Sequence, residues 1–153
     1  DIIESVISLK ESKNYLFPIV YERVNCLNDV KDTNDFKTFL VNFKRLNNII
    51  KSNKLLDISN VKLNIHLFES SEEEEIHDKS KNLDINLKKY LTDLEHQGII
   101  LQEIINLNYI IHSFFEKIIV NHEDKKIKIN RVKLLTELTE RILKFSNFHY
   151  IEN

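Results

Sequence analysis

Apolar side chains recur along this chain at alternating spacings of three and four residues, the signature of helices that each bury one face. Ile2, Val6, Leu9, Leu16, Val20, Val24 and Leu27 predict a first helix over 2–27. Pro18 interrupts it, which makes it either one helix kinked at Pro18 or two shorter ones, the second starting near Pro18. Phe36, Phe39, Leu40, Phe43, Leu46, Ile49 and Ile50 predict a second helix, opened by the cap-forming Asp32-Thr33-Asn34 and ending near residue 56 or 57. The longest pattern runs over 84–121: Leu87, Leu91, Leu94, Gly98, Leu101, Ile105, Asn108, His112, Phe115 and Ile119 make a heptad-like seam. A second apolar line beside it includes Ile100, Ile104, Ile111, Phe114 and Ile118, so this third helix is expected to be central, and at 1.5 Å per residue about 55 Å long. Leu135, Leu138, Ile142, Phe145 and His149 carry the rhythm into a fourth helix that starts near residue 130.

Two stretches break the rhythm. Over 58–68, Val61, Leu63, Ile65 and Leu67 alternate with polar residues as a strand would, while Ile58, Val61, Ile65 and Phe68 fit a helix. A lone strand needs a partner, which favours the helical connector. The run Glu72-Glu73-Glu74-Glu75 places four carboxylates side by side and reads as a mobile acidic loop over 70–82. The expectation is an all-α, elongated four-helix bundle of the up-down type, one domain over 1–153.

Composition sharpens this picture. One Gly and one Pro leave few turns, as long helices require. A net charge of -2 gives no global pull toward nucleic acid or an anionic membrane. Cys26 stands alone, so no disulfide closes within the chain. No apolar stretch of about 18 residues is free of charge, so no segment is expected to span a bilayer. The chain opens on Asp1 and not Met, as a processed form or fragment would, and any signal peptide would lie upstream.

The residues offer little chemistry. A dimetal bundle needs two inward Glu-x-x-His pairs, and only Glu74-x-x-His77 occurs, in the acidic run. Neither Gly-x-Ser-x-Gly nor a glycine-rich phosphate loop is present. Lys125, Lys126, Lys128, Arg131 and Lys133 cluster, but without interleaved aromatic residues and beside Glu123 and Asp124, as in a solvated connector. The reading is therefore a protein without catalytic residues, metal, cofactor, small-molecule substrate or nucleic-acid partner, its oligomeric state open. One feature is unusual. Gly98, Asn108 and His112 are polar or small where the seam calls for Leu or Ile. Either they fix the register of a closed bundle, or they weaken a seam that opens and offers Ile100, Ile104, Ile111, Phe114 and Ile118 to a membrane or partner. A His buried there would add pH sensitivity.

The Ile/Lys/Asn-rich segments Phe43-Lys44-Arg45-Leu46-Asn47-Asn48-Ile49-Ile50-Lys51 and Glu103-Ile104-Ile105-Asn106-Leu107-Asn108-Tyr109-Ile110-Ile111 give the chain a malaria-parasite look. With the elongated bundle, it resembles the helical-bundle sporozoite micronemal protein essential for host-cell traversal. That resemblance implies a secreted, non-enzymatic protein of a microneme-type organelle acting on a host membrane or host protein; without it, a cytoplasmic protein is expected. Two other readings compete: a poxviral Bcl-2-like protein that binds a partner helix, against which the long third helix counts, and an intracellular scaffold that dimerises along exposed seams.

Overall fold

Side chains that accept hydrogen bonds from the open backbone N–H groups of a first turn set where most of these helices begin. The computed structural model describes residues 1–8 and 17–151. Among these residues the chain is all-helical: α1 (Ile2–Ile7), α2 (Phe17–Val30), α3 (Asn34–Ser52), α4 (Ser71–Tyr90), α5 (Gln97–Lys117) and α6 (Lys125–Phe145). Single 3₁₀ turns occupy Ile65–Leu67, Leu94–His96 and Phe148–Tyr150. Leu9 and Leu16, two of the positions expected on the first helix, lie outside the described residues. The Thr33 hydroxyl accepts from the Phe36 N–H at the start of α3, and the Asp124 carboxylate accepts from Lys126 and Ile127 at the start of α6. The fourth helix thus begins five residues earlier than its apolar pattern suggests, and its first-turn lysines are helical, not connector.

Four helices, α3 to α6, form the bundle, and bonds between them fix its sense. Asn42 donates to Asn108 and Arg45 to the Phe115 carbonyl, so α3 and α5 run parallel. Lys117 meets Glu72 and Asn86 meets Glu103, so α4 and α5 are antiparallel. Arg131 meets Glu73, Arg141 meets Ser80 and Lys144 meets Asp84, so α4 and α6 are parallel. Helix α3 also packs on α6, while α2 lies against α5, and α1 packs on α2 and the last 3₁₀ turn. Direction alternates along the chain from α3 to α6, yet α3 and α4 sit across the bundle from each other. The core is aromatic at one side: Phe36, Phe39 and Phe43 of α3 enclose Phe148, with Phe39 and Phe148 edge-on at 5.2 Å between ring centres. Such pairs add roughly 0.5–1.5 kcal/mol each beyond the apolar area they bury.

Three expectations are corrected here. First, 70–82 is not a loop but the first half of α4. Ser70 caps the helix by accepting from the Glu73 N–H, and Glu73 reaches back to accept from the Glu69 N–H. The carboxylates of Glu72, Glu73 and Glu74 then stand in the first turn, where the positive end of the helix dipole favours them. Second, the long third helix divides. Residues 84–90 close α4, 91–96 turn, and α5 has 21 residues, about 31 Å instead of about 55 Å. The Leu91 carbonyl, released at the end of α4, accepts from Arg23 and from the Gln97 amide, which also bonds the Asp93 carbonyl. The apolar rhythm survives the break because α4 and α5 fold back and present it to the same core. Third, 58–68 is neither strand nor α-helix. It is a connector with one 3₁₀ turn, pinned where Asn130 of α6 donates to the Asn64 carbonyl and accepts from the Asn64 N–H.

Candidate functional site

The residues that sequence spacing places on one seam are separated by the structure. Asn108 is buried, and its carbonyl accepts from the Asn42 amide of α3. Gly98 is exposed at the start of α5, where an added Cβ would meet only Cys26 Sγ at 3.7 Å. His112 is exposed on the outer face of α5 and not in the core. Pro18 is exposed in the first turn of α2, where its missing N–H costs nothing. Ile100, Ile104, Ile111 and Phe114 are at most 1% exposed and Ile118 is half-buried, so this line is bundle interior and not a face turned outward. No described helix is long and apolar enough to cross a membrane.

Charge, and not the apolar seam, singles out a surface. Helix α3 carries Lys37, Lys44, Arg45 and Lys51 against one carboxylate, Asp35. Lys37, Lys44 and Lys51 repeat every seven residues, so they form one stripe, and all three are exposed. By the rise of the helix the stripe is about 21 Å long. Val41, 55% exposed, and Asn48 lie between the lysines. Some exposed cations are matched, Lys88 to Asp84, Lys117 to Glu72, Lys144 to Asp84 and, on α3 itself, Arg45 to Glu116, while Lys79, Lys81, Lys125 and Lys126 are exposed on other helices without an ion pair among the described residues. The three stripe lysines make no ion pair among the described residues. A purely solvated helix face normally alternates the two signs; this one concentrates positive potential along a line.

The last 3₁₀ turn borders that line. His149 stacks obliquely on Phe43, with ring centres 5.3 Å apart, and Tyr150 is 44% exposed. Burial of the imidazole, reinforced by the positive charge of Lys51, holds the His149 pKa below its usual value. On the α5 side, Arg45 lies over the Phe115 ring at 4.4 Å, which fixes the neighbouring wall. Beyond the C-terminal end of α5 the charges are instead buried and structural. The Arg131 guanidinium bonds Glu73 at 2.9 Å, Glu69 at 2.8 Å and the Ile119 carbonyl at 3.0 Å. Among the described residues no group of three His, Cys, Asp or Glu side chains is arranged to hold a metal ion. The α3 stripe carries a signal in the sequence: Lys37, Lys44 and Lys51 recur every seven residues with no Asp or Glu three or four positions from any of them.

No family model matches the chain. It is similar to the glycine–tRNA ligase beta subunit of Buchnera aphidicola subsp. Schizaphis graminum, 28% identical over 151 residues, which is 98% of this chain and 20% of that protein. Against the glycine–tRNA ligase beta subunit of Thermodesulfovibrio yellowstonii the identity is 32% over 124 residues, 79% of this chain and 17% of the relative. The beta subunit from a Sulfurihydrogenibium species is 29% identical over 148 residues, 97% of this chain and 21% of the relative. The chain spans about a fifth of the length of these curated relatives. They overturn the resemblance to a malaria-parasite micronemal protein and, with it, the secreted, cell-traversing, non-enzymatic reading and the expectation of a host membrane or host protein as partner. The viral Bcl-2-like and scaffold alternatives find no support in them either. The exclusion of nucleic acid falls too, since each relative is named for joining an amino acid to tRNA. The error has a physical root: Ile/Lys/Asn enrichment follows codon bias, which unrelated AT-rich genomes share, so composition carries no ancestry.

Proposed function

We propose that this chain is a helical module of a glycine–tRNA ligase beta subunit that holds tRNA while glycine is joined to it. The carrying observation is that beta subunits from separate bacterial genera match nearly all of its length. On this reading the chain works inside an enzyme, in the bacterial cytoplasm where tRNA is charged, beside the other subunit that the name "beta" implies. The α3 stripe supplies the physics. Phosphates attract the unpaired ammonium groups of Lys37, Lys44 and Lys51, and each contact releases a counterion from the RNA. Such contacts position the RNA without reading its sequence.

The test is a titration of the purified chain with glycine tRNA, followed by fluorescence anisotropy between about 50 and 200 mM salt. Affinity should fall as salt rises. Replacing Lys37, Lys44 and Lys51 together by Ala should weaken binding at low salt and flatten the log–log salt slope by about two to three units. The three side chains are exposed, so the fold should persist, and circular dichroism checks that. Salt-independent binding, no binding, or a triple variant that binds like the parent overturns the proposal.

A further inference from the structure

The last 3₁₀ turn lies along the flank of α3 that carries the lysine stripe, and it is anchored on both sides. Phe148 is buried among Phe36, Phe39 and Phe43. Ile151 is buried too, and it shares a cleft with Leu40 and Lys37. Ahead of the turn, the Asn147 N–H donates to the Ser5 carbonyl at 2.7 Å, and the Ser146 hydroxyl bonds the Ser5 hydroxyl at 2.8 Å. His149 and Tyr150 stand between these anchors, and both are exposed. The imidazole rests against Phe43 at 5.3 Å between ring centres. Packing on a rigid helix therefore fixes the place of this ring beside the stripe.

The charges around that imidazole decide what it can do. The turn packs on α1 and α3. Helix α1 brings Glu4, with Asp1 as its cap. Helix α3 brings Asp35, Lys37, Lys44, Arg45 and Lys51, and Lys31 and Asp32 line the cleft around Ile151. Arg45 is engaged elsewhere, with Glu116 and the Phe115 ring. Burial opposes protonation of the His149 ring, and the Lys51 charge opposes it further. With its pKa held below the ordinary 6.5, the imidazole of the free chain is mostly neutral at neutral pH. A phosphate bound at Lys51 reverses that balance. It cancels the charge that opposes protonation, adds negative charge of its own, and offers oxygens that accept from an imidazolium N–H. Phosphate binding and protonation then favour one another by the same factor.

We infer that His149 is a proton-dependent cation of the α3 face: RNA seated on the lysines draws a proton from solvent onto the imidazole, and is held more tightly as pH falls. The inference rests on the tRNA reading and adds control by pH to it. The test titrates the full chain with glycine tRNA at a series of values between about pH 8 and pH 5.5, the range in which an imidazole changes charge. Affinity should rise as pH falls, about tenfold for each unit that bound RNA adds to the His149 pKa. The log–log salt slope should steepen by about one unit over the same range, because one more cation meets the RNA. His149→Gln should lose both effects. His149→Lys, whose charge is fixed, should keep the tighter binding at pH 8. His112→Gln, on the outer face of α5, should follow the parent. In proton NMR the His149 ring signal of the parent should titrate at higher pH with tRNA than without it, a reading that needs no variant. Suppose the Lys37, Lys44 and Lys51 triple variant loses binding, but parent affinity is flat with pH or His149→Gln keeps the rise. The inference is then wrong and the tRNA reading stands. A parent chain that binds no tRNA at any pH sinks the tRNA reading, and this inference with it.

Discussion

Asn108 interrupts the apolar face of α5 at a point where Leu or Ile would fill the same space, and its partner explains the choice. A buried amide oxygen calls for a donor, and the Asn42 side-chain amide on α3 donates to the Asn108 Oδ1. A hydrogen bond between two buried amides across a parallel helix pair also penalises a slip of either helix, because another register breaks it. Asn108→Leu should therefore cost about 1–3 kcal/mol, the penalty of leaving the Asn42 amide buried without a partner. The double variant Asn42→Leu/Asn108→Leu should recover much of that loss. Urea denaturation of the parent, both singles and the double measures the coupling, and a single Asn108→Leu as stable as the parent would remove the register role. Spacing made Asn108 legible as a seam residue. It did not separate Asn108 from His112, four positions on, because 3.6 residues per turn carries a line drawn at threes and fours slowly around the helix. Asn108 faces α3, and His112 has already turned to solvent.

Helix α4 shows how the same local signal can be read two ways. Four adjacent glutamates repel as a loop would want, yet Ser70 three residues before Glu73 is a capping pair, and the helix dipole welcomes acids in a first turn. What settles the matter lies 58 residues away in sequence: Arg131 of α6 bonds the Glu73 carboxylate inside the bundle. No window of the sequence contains that partner. The break between α4 and α5 is of the same kind, since neither Gly nor Pro marks 91–96 and its carbonyls are satisfied by Arg23 and Gln97 from outside the turn. The Arg131–Glu73 pair should behave as buried ion pairs do. Arg131→Met leaves the Glu73 charge without its partner and should cost about 3–5 kcal/mol, whereas Arg131→Met/Glu73→Leu should recover part of that loss, falling short of the parent by the lost bonds to Glu69 and the Ile119 carbonyl. Thermal unfolding of the parent and the two variants reads this directly. A double variant no more stable than Arg131→Met would mean that the pair does more than neutralise itself.

At the scale of the whole molecule, a net charge of -2 hides an uneven surface: an acid-rich start of α4 and a lysine stripe along α3. Averaging over the chain hid the stripe on which the proposed tRNA contact rests, whereas the all-helical class survived averaging because every long helix obeys one period. The same unevenness shapes the response to acid. His149 sits against Phe43 with Lys51 nearby, and its pKa is lowered by burial and by that charge. The unfolded chain therefore binds a proton on His149 more readily than the folded one, and stability rises with pH across this window. Its contribution is present above the ordinary His value near 6.5 and is lost as pH falls through the lower folded value. The Asp84 carboxyl is held low by Lys88 and then Lys144, so its contribution is present above its ordinary value of 3.8 and is lost only at more acid pH. Melting temperature measured from pH 8 to pH 3 should thus fall in two stages. His149→Gln, which cannot protonate, should abolish the first stage and leave the second, while Asp84→Asn should leave the first and only shrink the second, because Glu72, Asp93 and Asp57 are also held low. A His149→Gln profile that still drops between about pH 6.5 and 5 would show that the imidazole at the edge of the α3 face is not the group that titrates there.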